Sequence, residues 1–133
     1  MLEYTGIRVR DMERSRRFYS AGLGLRTVET SRVAAGGVRE LLEDPESGAR
    51  LELNFYPDEP PYDEGAELDH LAFRVERLEV VIERLKALGG RLRLPPFLEG
   101  DRRLAFVADP DGIWVKLSER PGPDLPPTSQ RVE

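Results

Sequence analysis

Positions 66 apart in this chain carry the same kinds of residue in the same order. Tyr4-Thr5-Gly6-Ile7-Arg8-Val9 leads into Asp11-Met12-Glu13, and His70-Leu71-Ala72-Phe73-Arg74-Val75 leads into Arg77-Leu78-Glu79. Each half continues as a helical pattern that closes on glycine. Each then ends in an Asp-Pro turn, a glycine and a short alternating run. Those ends are Asp44-Pro45-Glu46-Ser47-Gly48 before Ala49–Phe55, and Asp109-Pro110-Asp111-Gly112 before Ile113–Ser118. The offset drifts to 65 and then 64, as small loop deletions would produce. A two-fold repeat of this kind implies duplication of one supersecondary unit. Modules of about 60 residues are marginal alone, so the halves are expected to pack together or to pair with another chain.

Periodicity assigns the elements. Tyr4–Val9 alternates and reads as a strand. Asp11 is a good N-cap for a helix over Met12–Ser20, which Gly22 and Gly24 end. Residues 26–33, 38–43 and 50–56 read as strands. Leu78, Val81, Ile82, Leu85 and Leu88 mark an amphipathic helix closed by Gly89-Gly90. Residues 91–94, 103–108 and 113–118 complete the second set of strands, so the order is β-α-β-β-β twice. The expected organisation is one domain over 1–120: module one 1–57, a Pro- and carboxylate-rich linker 58–66, and module two 67–120. Residues 121–133 form a Pro-rich tail.

Composition narrows the function classes. In 133 residues the net charge is −5, which argues against a nucleic-acid partner. No apolar stretch approaches membrane-spanning length, so no membrane association is expected. The chain lacks cysteine, which removes disulfides, thiolate metal sites and cysteine nucleophiles together. The first residues lack signal-peptide zoning, so the expected location is the cytoplasm. Only two of the 20 basic residues are lysines, Lys86 and Lys116.

Strand parity separates a covered face from an open one. Thr5, Ile7 and Val9, Leu51, Leu53 and Phe55, Leu71, Phe73 and Val75, and Ile113, Val115 and Leu117 are assigned to the helix-covered core. The opposite parity gives Tyr4, Arg8, Arg50, Glu52, Asn54, His70, Arg74, Trp114 and Lys116. A polar and aromatic face of this kind is either solvated sheet surface or the wall of a ligand cavity.

Three segments resemble the vicinal oxygen chelate superfamily of glyoxalase I, bleomycin-resistance proteins and extradiol dioxygenases. Ile7-Arg8-Val9-Arg10-Asp11-Met12-Glu13-Arg14-Ser15-Arg16-Arg17-Phe18-Tyr19, with Gly22-Leu23-Gly24-Leu25, is similar to its opening strand and helix. Leu68-Asp69-His70-Leu71-Ala72-Phe73-Arg74-Val75 resembles the start of its second module, and Phe106-Val107-Ala108-Asp109-Pro110-Asp111-Gly112 the turn before its last strand. The likeness covers residues 2–119. It implies an α+β fold of two tandem βαβββ modules forming a curved, cleft-lining mixed sheet, and a homodimer.

The resemblance also implies a metal centre at four symmetric positions, which hold Tyr4, Glu52, His70 and Lys116 here. Glu52 and His70 match the glyoxalase pattern as metal ligands. Tyr4 stands where a histidine is usual and Lys116 where a carboxylate is usual. The cofactor is accordingly either none or a divalent Zn, Ni, Mn or Fe ion on a partial site. Lys116 and Glu52 are the expected catalytic pair, with the lysine ammonium in place of a metal's charge. Tyr4, Arg8, Asn54, Arg74 and Trp114 are the expected ligand-binding residues. Tyr56 occupies the place of the family's asparagine four positions past the glutamate, which counts against glutathione. The expected function is a glyoxalase/bleomycin-resistance-type protein binding a small polar or anionic molecule in a cleft, with an incomplete metal site. A glyoxalase I-like lyase with an atypical centre is the alternative. An extradiol dioxygenase ranks last, because only one histidine exists.

Overall fold

The computed structural model describes residues 1–32, 36–57 and 68–120. The expected linker and the Pro-rich tail lie outside these described residues. Two compact units are present, Met1–Leu68 and Asp69–Glu133.

The first unit contains β1 (Thr5–Arg8), α1 (Met12–Arg17), β2 (Arg26–Arg32), β3 (Val38–Glu43) and β4 (Arg50–Phe55). The second contains β5 (Leu71–Val75), α2 (Leu78–Ala87), β6 (Arg91–Glu99), β7 (Arg102–Ala108) and β8 (Trp114–Glu119). The sheets run β1-β4-β3-β2 and β5-β8-β7-β6. In each, the first and last strands pair in parallel and the other neighbours are antiparallel. The sequence repeat is therefore a repeat of topology.

Local chemistry explains the element boundaries. Asp11 Oδ1 accepts a hydrogen bond from the Arg14 N–H at 3.0 Å and starts α1. The helix expected to run to Ser20 instead changes pitch at Phe18 and continues as a π-helical turn over Phe18–Gly22. That wide turn carries adjacent Phe18 and Tyr19 into the core, with ring centroids 5.0 Å apart. The repeated Asp-Pro turns share one device. Asp44 Oδ1 accepts from the Glu46 N–H at 2.8 Å. Asp109 Oδ1 accepts from the Asp111 and Ile113 N–H groups at 2.9 Å each. Gly48 and Gly112 close the turns at φ 79° and 98°, where a side chain is strained.

The α2 N-terminus is capped from a distance. Arg77 gives no side-chain cap. Glu119 at the end of β8 accepts from the Leu78 N–H at 3.0 Å. Arg103 on β7 holds Glu119 at 3.1 Å and also pairs with Glu79. The Arg103 hydrogen bond lowers the Glu79 carboxyl below its ordinary range, and Glu79 raises Arg103 in turn.

Strand parity follows the alternation at most positions, but Thr5 is exposed at the start of β1 and Phe55 is only half-buried at the end of β4. Ile7, Leu51, Leu53, Val115 and Leu117 are buried, and each such side chain stabilises the fold by about 1.5–3 kcal/mol. Leu71, Phe73 and Val75 depart from the core assignment by being only half-buried. Their strand is at the sheet edge, and α2 packs mainly over β6, β7 and β8. A second correction concerns β6, expected to stop at residue 94 but extending through Pro95-Pro96 to Glu99. As an edge strand it has one side without ladder partners, so the missing proline N–H groups are tolerated. Register shifts between Leu92 and Leu94 and between Leu94 and Phe97 accompany them. Bulges and prolines of this kind blunt an edge against strand addition.

Candidate functional site

In the first unit, the open face of the sheet forms a cavity of about 240 Å³. Tyr4, Arg50 and Glu52, expected from parity, line it together with Glu3, Glu29, Ser31, Arg39 and Leu41. Strand register explains the grouping. Glu52 lies opposite Gly6 on β1 and Leu41 on β3, and Leu41 lies opposite Glu29 on β2. The neighbouring row holds Arg8, Asn54, Arg39 and Ser31.

These side chains differ in what already holds them. Arg50 Nε is 2.9 Å from Glu43 Oε2. Asn54 Nδ2 donates to the Ile7 carbonyl at 3.4 Å, which ties its amide to the β1 backbone. The Arg8 guanidinium lies 4.7 Å from the centre of the Tyr56 ring. Tyr56 thus has a cation–π partner on the same module. The Arg39 Nε is buried without a hydrogen-bond acceptor among the described residues.

In the second unit, His70 sits just before β5 and Trp114 opens β8. Phe106 links them, with ring centroids 5.7 Å from His70 and 5.6 Å from Trp114. Lys116 is opposite Phe106 on one side and Ala72 on the other, so it shares this face. His70 Nδ1 is 2.6 Å from Asp69 Oδ2. With Nδ1–H donating to that carboxylate, a neutral ring presents Nε2 as an acceptor. The Asp69 side chain is 96% exposed, so it orients the imidazole from solvent. Arg74 is exposed on the same parity.

Several site residues escaped the sequence reading. The alternation of the first and last strand of each module does not reach Glu29, Ser31, Arg39, Leu41 or Phe106, which lie on the strands between. Their signal was weak. Leu41-Leu42 is an apolar doublet that hides the β3 alternation, and Phe106 lies between Ala105 and Val107.

The residues at the four symmetric positions fit a resident divalent metal poorly. Glu52 and His70 supply one carboxylate and one imidazole. An ammonium is no metal ligand, and a neutral phenol is a weak one. Among the described residues, no three His, Cys, Asp or Glu side chains gather as a metal site requires.

Duplicated βαβββ modules with polar, aromatic-walled open faces define a paired-module α+β class of protein. The sequence model of the Glyoxalase/Bleomycin resistance protein/Dioxygenase superfamily matches residues 1–117, and the chain belongs to that superfamily. Lactoylglutathione lyase of Haemophilus influenzae is 33% identical over 125 residues, covering 87% of this chain and 90% of that protein. Lactoylglutathione lyase of Salmonella typhimurium is 32% identical over 127 residues, covering 89% and 91%. The solved structure of glyoxalase I from Zea mays aligns with a TM-score of 0.78 at 23% identity. That alignment covers 91% of this chain but 45% of the maize chain, so this chain spans about half the maize protein. A glyoxylase/bleomycin resistance protein/dioxygenase domain from Frankia sp. EAN1pec aligns at TM-score 0.74 and 23% identity, covering 91% and 98%. These two likenesses concern the fold. No helix among the described residues is long and apolar enough to cross a membrane.

Proposed function

We propose that this chain binds a small polar or anionic molecule in a cleft lined by the open faces of its modules. In this reading the Lys116 ammonium supplies the positive charge that a divalent ion would supply at a complete glyoxalase centre. The observation that carries it is the donor set: Tyr4 and Lys116 stand at two of four positions that would have to ligate a metal. In this reading Glu52, Tyr4, Arg8 and Asn54 of module one and Lys116, Trp114 and Arg74 of module two contact the ligand. The modules that close on one ligand come from one chain or from two copies in a homodimer. Lysine suits the role as a compact point charge with three rotatable donors.

A second reading, favoured by the identity with curated lactoylglutathione lyases, adds proton transfer. There the Glu52 carboxylate takes a proton from the carbon beside a carbonyl. Lys116 stabilises the negative charge that develops on the carbonyl oxygen. The two readings separate in one assay: turnover of the hemithioacetal of methylglyoxal, with and without added Ni or Zn. Binding alone predicts a saturable change in Trp114 fluorescence and no turnover. Metal-independent turnover lost in Glu52→Gln supports the lyase reading. Turnover that requires Ni or Zn contradicts both.

A further inference from the structure

The cavity of the first module contains an arginine that, among the described residues, pairs with none of the carboxylates beside it. Arg39 lies opposite Ser31 and Asn54, which places it diagonal to both Glu29 and Glu52. Diagonal neighbours on one sheet face are about 7–8 Å apart, within reach of an arginine. Arg50, on the adjacent strand, does make such a bond, to Glu43. Among the described residues Arg39 makes none, and its Nε is buried without an acceptor. A buried unsatisfied donor carries a desolvation cost of about 1–3 kcal/mol, which a bound acceptor would remove. Among the described residues Glu29 accepts only a 3.3 Å hydrogen bond from the Ser31 hydroxyl, and the Glu52 carboxylate has no hydrogen-bond or ion-pair partner.

The balance of charge selects the ligand chemistry. Three carboxylates, Glu3, Glu29 and Glu52, and two guanidiniums, Arg39 and Arg50, line about 240 Å³. A simple anion would meet the carboxylates, and a simple cation would meet Arg39. A molecule carrying both charges matches the lining. The volume limits it to a small molecule or one end of a larger one. We infer that this cavity binds a small zwitterion, with Arg39 holding its carboxylate and Glu29 and Glu52 holding its ammonium group. This deepens the binding function proposed above and rests on it, by naming the chemical class received on module one.

The test is calorimetric titration of the whole chain with glycine, L-alanine and L-glutamine, and with their N-acetyl and carboxamide derivatives. Saturable binding of at least one free amino acid is expected, with affinity falling about tenfold or more for both derivatives, a loss of 1.4 kcal/mol or more. Arg39→Gln should lose the discrimination against the carboxamide, and Glu29→Gln the discrimination against the N-acetyl form. Arg39→Lys should retain part of the preference. The Arg39→Gln melting temperature should equal or exceed wild type, because an unsatisfied donor is removed. Equal binding of derivatives and free amino acids overturns the inference. So does binding of acetate or phosphate in preference to zwitterions, or no zwitterion binding while other small molecules still perturb Trp114. Failure of every small molecule to bind would instead overturn the proposed function as well.

Discussion

Glu52 lies opposite Gly6 in the parallel β1–β4 register, and its Oε1 is 4.0 Å from where a Gly6 Cβ would stand. The Asn54 Nδ2 is 3.4 Å from the same point. Glycine therefore leaves open the floor over which the carboxylate and amide are arranged. Gly6→Ala makes ordinary van der Waals contacts and should change stability by less than about 1 kcal/mol. Gly6→Val projects farther and should displace both side chains, lowering ligand affinity without unfolding the protein. Paired thermal melts and ligand titrations of the two variants check this.

The Arg16–Glu40 pair gives a stability prediction independent of ligand. Glu40 is 6% exposed on the covered face of β3, and Arg16 Nε on α1 bonds it at 2.8 Å. The Glu40 hydrogen bond raises Arg16 above its ordinary value, against a smaller opposing effect of burial. Arg16→Ala leaves a buried carboxylate unpaired and should cost about 2 kcal/mol. The half-exposed guanidinium keeps this below the loss for a fully buried pair. Arg16→Ala/Glu40→Leu should recover most of it, as read by urea unfolding.

Glu119 should matter more than its place at the end of a strand implies. It caps α2 through the Leu78 N–H and holds Arg103. Glu119→Ala should lower stability by about 1 kcal/mol, the typical loss of a helix N-cap. Glu79→Gln should have a smaller effect, because Glu79 is solvent-exposed. The Glu79 carboxyl is lowered in the folded state, so its contribution is present above the unfolded value and fades as acidification passes through the folded one. Denaturation at neutral and acidic pH should show the Glu79→Gln difference shrinking toward the acid end.

The topology was legible in the chain because β1, β4, β5 and β8 alternate cleanly. Their register then defined the open faces on which Tyr4, Glu52, Trp114 and Lys116 lie. What escaped has physical causes. Pro95-Pro96 breaks a central strand but not an edge strand, so β6 was read short. Glu119 reaches the α2 N-terminus across 41 positions, a distance that local capping rules do not see. Arg39 became visible only when register placed it between Ser31 and Asn54.

Trp114 is the only tryptophan, 38% exposed and 5.6 Å from Phe106. Ligand on this face should therefore change the fluorescence of a single, assigned reporter. Phe106→Leu should weaken that response while keeping the strand, and Lys116→Gln should lower affinity for an anionic ligand by about tenfold. Fluorescence titration of both variants measures this.

The proposed function requires that Tyr4, Glu52, His70 and Lys116 retain no divalent ion. Metal content by mass spectrometry, after equilibration with Ni or Zn and dialysis, tests it most directly on wild type and on Tyr4→His/Lys116→Glu. Wild type is predicted to retain far less than one equivalent. The double variant, with two histidines and two carboxylates restored at those positions, is predicted to retain close to one per chain or per shared site. Stoichiometric, dialysis-resistant metal in the wild-type protein would contradict a charge-bearing role for Lys116 in place of a divalent ion.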